Sequence, residues 1–269
     1  MPLTPPRVLF SVMNRIERMA AYAQGKGYGA ATVEQETRLL QHLLQTQPKL
    51  AIDIGGNIGN YTAELRKKNP SLEIHTFEPS ATNIEKLTAR FKNDSLIKLV
   101  PLALSDEAGP ATLFSNEPGS GLGSLSKRRL EHFNISFDTK ETINTVRFED
   151  YWRTTLQGRQ MDMVKIDIEG HELTALKGFG SALDVSRVLQ FEFGGCNIDT
   201  RTYFQDFWYF FKEHNFDIYR ITPFGAENVG RYRESDEYFT TTNYIAANRR
   251  RPTSMTGAPH TVAHRASKL

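Results

Sequence analysis

The fold of this chain is decided by one stretch, Ala51-Ile52-Asp53-Ile54-Gly55-Gly56-Asn57-Ile58-Gly59. The apolar residues at its start predict a short buried strand, and the glycines predict a tight turn into a helix. Gly55 and Gly59 lack a Cβ, so the backbone there can turn sharply and let a ligand approach closely. The stretch therefore predicts a nucleotide-cofactor loop.

The kind of cofactor is indicated by Asp53, the carboxylate that precedes the glycines. The dinucleotide fingerprint G-x-G-x-x-G aims a helix N-terminus at a pyrophosphate, which this carboxylate would repel. A carboxylate in this place suits a ligand with a cationic end, and S-adenosylmethionine carries both an ammonium and a sulfonium group. The acid and the missing second glycine at the expected spacing argue against a nicotinamide oxidoreductase.

A second acid, Glu78, ends the strand-like run 73–77 about 20 residues after the glycines. At the tip of a second strand, such a carboxylate can accept hydrogen bonds from both ribose hydroxyls. The alternative is a structural role, in which Glu78 caps the helix that begins near Ser80. The spacing from Gly55 favours the ribose role.

Strands and helices alternate along the middle of the chain. The predicted order is strand 50–54, helix 58–68, strand 73–77, helix 80–92 and strand 97–104. This rhythm predicts a doubly wound α/β fold, with a mostly parallel sheet covered by helices on both faces. Further strands are predicted at 162–167, 187–193, 216–222 and 238–246, with an aromatic helix at 203–211.

The alternation breaks at residues 107–150, where two β-prone runs flank the glycine-rich loop 117–124. We interpret this segment as a hairpin-like insertion, and its loop as a lid. Residues 1–30 predict a helix followed by a mobile glycine-rich segment, ahead of a domain at 31–247. Residues 248–269 form a basic tail that lacks the apolar content to order itself.

Composition limits the classes of function. A chain of 269 residues with 39% hydrophobic content can bury one substantial core. The balance of 33 basic against 31 acidic residues gives no reason to expect nucleic acid or an anionic membrane as partner. The single cysteine, the lack of a signal-peptide pattern and the lack of about 18 consecutive apolar residues predict a cytoplasmic protein without a transmembrane segment. Within residues 8–13 we expect a helix turn that faces the core, the alternative being a surface for a partner or a membrane.

Ionisable groups are densest in the run Met161-Asp162-Met163-Val164-Lys165-Ile166-Asp167-Ile168-Glu169-Gly170-His171-Glu172. Ligands of open α/β sheets bind at the carboxyl ends of strands, which is where Asp167, Glu169 and His171 fall. Acids beside Lys165 and a histidine can shift one pKa toward neutrality, as a general base requires. The alternative is a set of structural ion pairs with the following helix.

Together these motifs resemble the FkbM family of S-adenosylmethionine-dependent methyltransferases, over roughly residues 50–195. The resemblance implies a Rossmann-like class I methyltransferase fold, a seven-stranded sheet whose last strand is antiparallel, and O-methylation of a hydroxyl on a sugar, glycan or small secondary metabolite. We expect Gly56, where the family usually carries alanine, only to loosen the loop. The blocks that carry the resemblance are 52–62, 77–79 with 103–106, and 164–172 with 176–178. Residues 241–244 show a weaker similarity to the family.

The family pattern also implies roles for residues of this chain. The ribose would be held by Glu78, and the adenine side by Ser105 and Asp106. The methionine end would be held by the glycine-rich turn and its acid, namely Asp53, Gly55, Gly56, Asn57 and Gly59.

The catalytic step requires the removal of a proton from the acceptor oxygen. The candidates for this task are Asp167, Glu169 and His171, with Lys165 beside them. A metal ion could share it, because Asp167 and Glu192 would lie at the ends of adjacent strands and are oxygen ligands of the type that Mg²⁺ prefers.

Two other functions stay open. The same fold supports methylation of RNA or DNA, although the domain shows no basic stripe interleaved with aromatic residues. The chain could instead be a non-catalytic partner that keeps the fold, with helix 203–211 as its interface or as the contact of a homo-oligomer. The intact Asp53, Glu78 and Asp167 argue against that loss of activity.

Overall fold

A computed structural model describes residues 7–28, 33–44 and 46–251. The helices are α1 (Arg7–Ala23), α2 (Val33–Leu43), α3 (Asn60–Lys68), α4 (Ala81–Phe91), α5 (Phe148–Thr154), α6 (Glu172–Lys177), α7 (Cys196–Thr200) and α8 (Phe204–Glu213). The strands are β1 (Leu50–Ile54), β2 (Glu73–Phe77), β3 (Ile97–Val100), β4 (Ala103–Leu104), β5 (Gly109–Ser115), β6 (Thr139–Val146), β7 (Met161–Ile166), β8 (Ser186–Phe193), β9 (Phe216–Thr222), β10 (Gly225–Asn228) and β11 (Thr242–Asn248).

The main sheet has the strand order β10-β9-β11-β8-β7-β1-β2-β3. Strands β3, β2, β1, β7 and β8 pair in parallel, and β11 runs antiparallel between β8 and β9. The strand order reverses at β1, where ligands of such sheets bind beyond the carboxyl ends. The predicted Rossmann-like α/β fold, with an antiparallel last strand, is confirmed.

The strand count differs from the prediction. The described part of the sheet has eight strands rather than seven, because Gly225–Asn228 pairs antiparallel with β9. These four residues include no β-branched or aromatic side chain, so no strand was predicted there. The strand predicted at 97–104 is two strands, since Pro101 has no N–H to continue the ladder. The second of these, β4, joins the β5–β6 hairpin of the insertion in a separate three-stranded sheet.

The aromatic helix α8 supplies the core. Phe204, Phe207 and Phe211 are fully buried. Phe207 stacks on Phe191 of β8 with ring centroids 4.9 Å apart, and Phe204 stacks on Tyr244 of β11 at 4.4 Å. A fully buried Phe contributes about 1.5–3 kcal/mol, so these rings fix α8 on one face of the sheet. These buried phenylalanines pack inside the domain, so they give no support to the alternative prediction that the helix forms an interface.

Helices α2 and α3 cover the opposite face of the sheet, where Leu40 and Leu65 pack on Ile74 and Ile245. Helix α1 does not join this core. The expectation that residues 8–13 face the core is wrong, since Val8 is 76% exposed and Phe10 is 59% exposed. No helix within the described ranges is both long and apolar enough to span a bilayer.

The glycine-rich segment after α1 packs on the sheet as far as it is described. A Cβ at Gly25 would lie 2.3 Å from the carbonyl oxygen of Ile221, and the Gly27 N–H donates to Thr242 Oγ1 at 3.1 Å. The rest of the predicted mobile segment, residues 29 and 30, lies outside the described residues, as does the predicted tail from residue 252 onward. Asn248, the first residue predicted for the tail, is buried and ends β11 instead.

The glycine-rich turn after β1 is pressed against the two neighbouring strands. Gly55 has a φ of 83°, and a Cβ there would lie 1.9 Å from the carbonyl oxygen of Asp167. A Cβ at Gly56 would lie 2.2 Å from Cγ2 of Thr76, a fully buried residue of β2. The expectation that Gly56 merely loosens the loop is therefore wrong. In this chain the Thr76 methyl fills the space that an alanine would need.

We expect the substitution Gly56→Ala to lower the free energy of unfolding by about 1–3 kcal/mol through overpacking. Thr76→Ser removes the methyl but keeps the hydroxyl that lies 2.8 Å from Thr62 Oγ1. The double variant should therefore be more stable than Gly56→Ala alone. Urea unfolding of the wild type, the two single variants and the double variant measures the energetic coupling between positions 56 and 76. Purely additive changes in the free energy of unfolding would contradict the predicted clash.

Candidate active site

A cavity that opens to solvent lies beyond the carboxyl ends of β1 and β2, with about 600 Å³ of empty space when its open mouth is included. Gly55, Asn57 and Glu78 line one side of it. The insertion loop contributes Ser120 and Gly121, so the segment predicted as a lid borders this cavity. Its apolar wall is formed by Leu102, Leu104, Leu113 and Leu125. A lining that combines polar groups with several leucines suits a nucleoside with a polar extension.

Glu78 connects the glycine-rich turn to helix α4. Its carboxylate accepts the N–H of Asn57 at 2.8 Å and the N–H of Ser80 at 2.9 Å. Burial raises the pKa of Glu78, and these two hydrogen bonds act in the opposite direction. Glu78 accepts the N–H of Ser80, the residue before α4, rather than an N–H of the helix itself, and the same side chain also faces the cavity. Its contact with a ribose stays a prediction.

Asp53 lies beneath the turn. It is fully buried, and its Oδ2 accepts a hydrogen bond from Thr62 Oγ1 at 2.6 Å. Its Oδ1 has no hydrogen-bond partner among the residues described. Asp53 and Gly59 line neither cavity of the site, and Gly59 packs on Phe91 instead. Direct contact of either residue with the methionine end stays a prediction that this geometry does not favour.

A second cavity, also open to solvent and with about 650 Å³ of empty space when its mouth is included, adjoins the first. The two share Gly55, Asn57, Gly121, Asp167 and Glu169. The second cavity adds polar side chains that the first lacks, namely Asn60, Tyr61, Lys165 and Glu192. The two cavities thus meet at the loop that follows β7.

Lys165 is a buried cation. Its Nζ lies 3.0 Å from Asp167 Oδ2 and 5.0 Å from the centre of the Tyr61 ring. Burial acts to lower the pKa of Lys165, but the charges of Asp167 and Asp53 outweigh it and raise the pKa. Lys165 is therefore held as an ammonium beside Asp167, which does not favour its use as a base.

Glu169 lies where the two cavities meet. Its φ is 55°, and a left-handed backbone costs a non-glycine residue about 1 kcal/mol. Such strain is found at functional sites. Burial and the charge of Asp167 raise the pKa of Glu169 to about 7, while its ion pair with Arg128 of the insertion acts in the opposite direction. A carboxylate with this pKa can take up and release a proton near neutral pH.

His171 lies apart from these groups, in the first cavity. Its Nε2 is 3.3 Å from Ser105 Oγ, and Ser105 Oγ donates to Asp106 Oδ1 at 3.1 Å. Burial lowers the pKa of His171, so the imidazole is neutral at pH 7. The structure thus places His171 with the residues predicted for the adenine side, and away from Lys165 and Glu192.

The suggested magnesium site gains no support. Asp167 and Glu192 line the same cavity. However, the described ranges contain no group of three His, Cys, Asp or Glu side chains arranged to hold a metal ion. Burial and the charge of Asp167 raise the pKa of Glu192, which favours its protonated form rather than a ligand carboxylate.

Two groups of the site were not found from the sequence. Glu36 of α2 is buried and accepts hydrogen bonds from Gln190 Nε2 at 2.7 Å and Asn243 Nδ2 at 3.0 Å. Arg128 bridges Glu169 and Asp199, and so fixes the insertion to the site. Glu36 sits in an ordinary amphipathic pattern, and Arg128 in a basic run, so neither carried a local signal.

Comparison with known proteins identifies relatives of this chain. Residues 53–218, more than half of the chain, match the family described as Methyltransferase FkbM domain. Methyltransferase sdnD of Sordaria araneosa is 32% identical over 152 residues, covering 47% of this chain and 59% of that protein. The 2-O-methyltransferase NoeI of Sinorhizobium fredii is 22% identical over 186 residues, covering 66% of this chain and 76% of that protein. The chain thus spans less than two thirds of the first of these relatives.

Among solved structures, the O-methyltransferase from Bacillus cereus in complex with SAH is similar to this chain, with a TM-score of 0.41 and 12% identity. The similarity covers 92% of this chain and 94% of that chain.

Glu172 holds the loop that carries Glu169. It is fully buried, and its Oε1 accepts the N–H groups of Ile168 at 2.9 Å and Gly170 at 3.1 Å. Burial raises the pKa of Glu172 from 4.5 to about 7, and its hydrogen bonds act in the opposite direction. The folded state therefore holds a proton that the unfolded state releases between pH 4.5 and 7.

Because the folded pKa is the higher one, this group stabilises the protein at low pH and the contribution is lost as the pH rises to 7. We expect Glu172→Gln to keep the accepted hydrogen bonds and to reduce the loss of stability over this range by up to about 3 kcal/mol. Urea unfolding at pH 5 and pH 8 measures the effect, with the exposed Glu85→Gln as control. An unchanged pH dependence would show that Glu172 is ionised in the folded protein.

Proposed function

The chain belongs to the FkbM methyltransferase family, a family of S-adenosylmethionine-dependent methyltransferases, and we propose that it methylates a hydroxyl of a sugar, glycan or small secondary metabolite. The observation that carries this proposal is that two cavities meet at Glu169, whose pKa lies near 7. When bound, S-adenosylmethionine supplies a methyl group that its sulfonium makes electrophilic.

The first cavity is proposed to hold the cofactor. Its apolar wall, with Leu104 and Leu113, suits the flat face of adenine, and the neutral His171 lies at the same end. Glu78 is buried at the cavity edge with two backbone donors already on its carboxylate. Asn83 Nδ2 also donates to Oε1, at 3.4 Å, so the remaining acceptor position for a ribose hydroxyl is on Oε2.

The second cavity is proposed to hold the acceptor. Its polar lining of Asn60, Tyr61, Lys165 and Glu192 suits a polyhydroxylated molecule. Glu169 would accept the proton that leaves the acceptor hydroxyl, while Lys165 balances the charge of the adjacent Asp167. The name of the rhizobial relative, a 2-O-methyltransferase, supports oxygen as the methylated atom. No observation favours nucleic acid as the acceptor.

This proposal includes no metal ion. A cytoplasmic location and a homo-oligomeric state stay predictions from the sequence alone.

The cofactor site is tested by titration calorimetry with S-adenosylhomocysteine. We expect the wild-type chain to bind, and Glu78→Gln to weaken binding about tenfold or more, because a charge-assisted hydrogen bond contributes about 1.5–3 kcal/mol. The control is Glu85→Gln, an exposed carboxylate on the adjacent helix, which should bind like the wild type. Absence of binding by a folded wild-type chain would refute the proposed function.

The base is tested by methyl transfer to a panel of hydroxylated sugars and metabolites. We expect kcat/KM to rise with pH through about 7, because Glu169 acts when deprotonated. Glu169→Gln should lower kcat by about 10²–10⁴-fold and remove this rise, while leaving the affinity for S-adenosylhomocysteine nearly unchanged.

His171→Gln serves as the comparison, because its ring lies in the first cavity only. We expect this variant to weaken cofactor binding and to keep the rise of activity with pH. If His171→Gln removed the rise and Glu169→Gln kept it, the base would be assigned wrongly.

A further inference from the structure

Helix α1 exposes an apolar surface that the domain does not cover. Its large hydrophobic side chains are between 42% and 76% exposed. The set comprises Val8, Leu9, Phe10, Val12, Met13, Ile16, Met19 and Tyr22. Exposed hydrophobic residues scattered singly are normal on a protein, but a contiguous set on one helix marks an interaction site.

Most of these side chains share one side of the helix. At 100° per residue, the positions from Val8 to Met19 in that set, other than Phe10, fall within an arc of about 140°. Arg18 lies on the opposite side of the helix, Arg15 lies at the edge of the apolar arc next to Val8, and Glu17 is the one acidic residue of α1. Neither arginine forms an ion pair with any described residue. The helix therefore combines an open apolar face with unpaired positive charge.

The helix is attached to the domain at its C-terminal end. Ala21 is buried, and Lys26 Nζ donates to the carbonyl oxygen of Ser235 at 2.7 Å. The Gly27 N–H donates a hydrogen bond to Thr242 Oγ1. The next residue, Asn243, donates to Glu36, which belongs to the buried network beside the second cavity. The base of α1 is thus linked through two consecutive residues of β11 to the acceptor side of the domain.

We propose that α1 lies in the surface of an anionic lipid bilayer, with its apolar face among the acyl chains and its arginines at the phosphate groups. Amphipathic helices with bulky apolar residues on one side and basic residues on the other bind lipid surfaces in this way. Each Lys or Arg near an anionic surface contributes about 1 kcal/mol. Pairing of α1 with a second copy fits less well, because Arg15 lies in the middle of the helix at the edge of the apolar arc and would approach the Arg15 of the other copy. The inference does not depend on methyl transfer, since it concerns binding alone.

The test is cosedimentation of the full chain with vesicles of phosphatidylcholine and phosphatidylglycerol, compared with vesicles of phosphatidylcholine alone. We expect binding to the anionic vesicles that weakens with added salt. The double variants Val12→Glu/Ile16→Glu and Arg15→Glu/Arg18→Glu should each bind at least about tenfold more weakly.

The matched control is Tyr209→Glu, which places the same charge on a side chain that is 51% exposed on the separate helix α8. It should bind vesicles like the wild type, and thermal melting should show that all variants fold. The proposal is overturned if the wild-type chain stays in the supernatant, or if both double variants bind normally. It is also overturned if sedimentation velocity shows a dimer formed through α1 and this dimer does not bind the vesicles.

Discussion

The close contact between the turn after β1 and its two neighbouring strands is the constraint on which the site depends. The N–H groups of Gly55 and Gly56 both donate to the carbonyl oxygen of Phe77, at 3.0 and 2.9 Å, so the turn is joined to the end of β2. On the other side, Asp167 donates its N–H to Ile54 at 3.1 Å and leaves no room for a Cβ at Gly55. These contacts bring Glu78, Asn57 and the loop after β7 to the edge of one cavity.

The same packing places several carboxyl groups around one ammonium. Glu36, Asp53 and Asp167 all contribute to keeping Lys165 charged, although burial alone would favour its neutral form. Removal of a buried cation of this kind leaves uncompensated charge, which costs about 3–5 kcal/mol in other proteins. Each of these carboxyls comes from a different element of the chain, so the electrostatic balance exists only once the sheet and α2 have assembled.

The sequence predicted the parts of the fold that local pattern encodes. Short apolar runs bounded by turn residues located β1, β2, β7 and β8, and clustering of acids at strand ends located Asp167 and Glu169. Contacts between distant segments could not be predicted in this way. Glu36 contacts Asn243, which lies 207 residues further along the chain, and Arg128 of the insertion forms an ion pair with Glu169. The role of Gly56 was misjudged for the same reason, since it depends on a methyl group in β2.

The eighth strand, β10, has a consequence for the behaviour of the protein at high concentration. It ends the sheet on one side with four residues that include Glu227, and β3 ends the other side with four residues that include the exposed Lys98. Long, flat and apolar edge strands recruit further chains into growing sheets, whereas short edges that carry charge resist such recruitment. Both open edges of this sheet are therefore protected against aggregation.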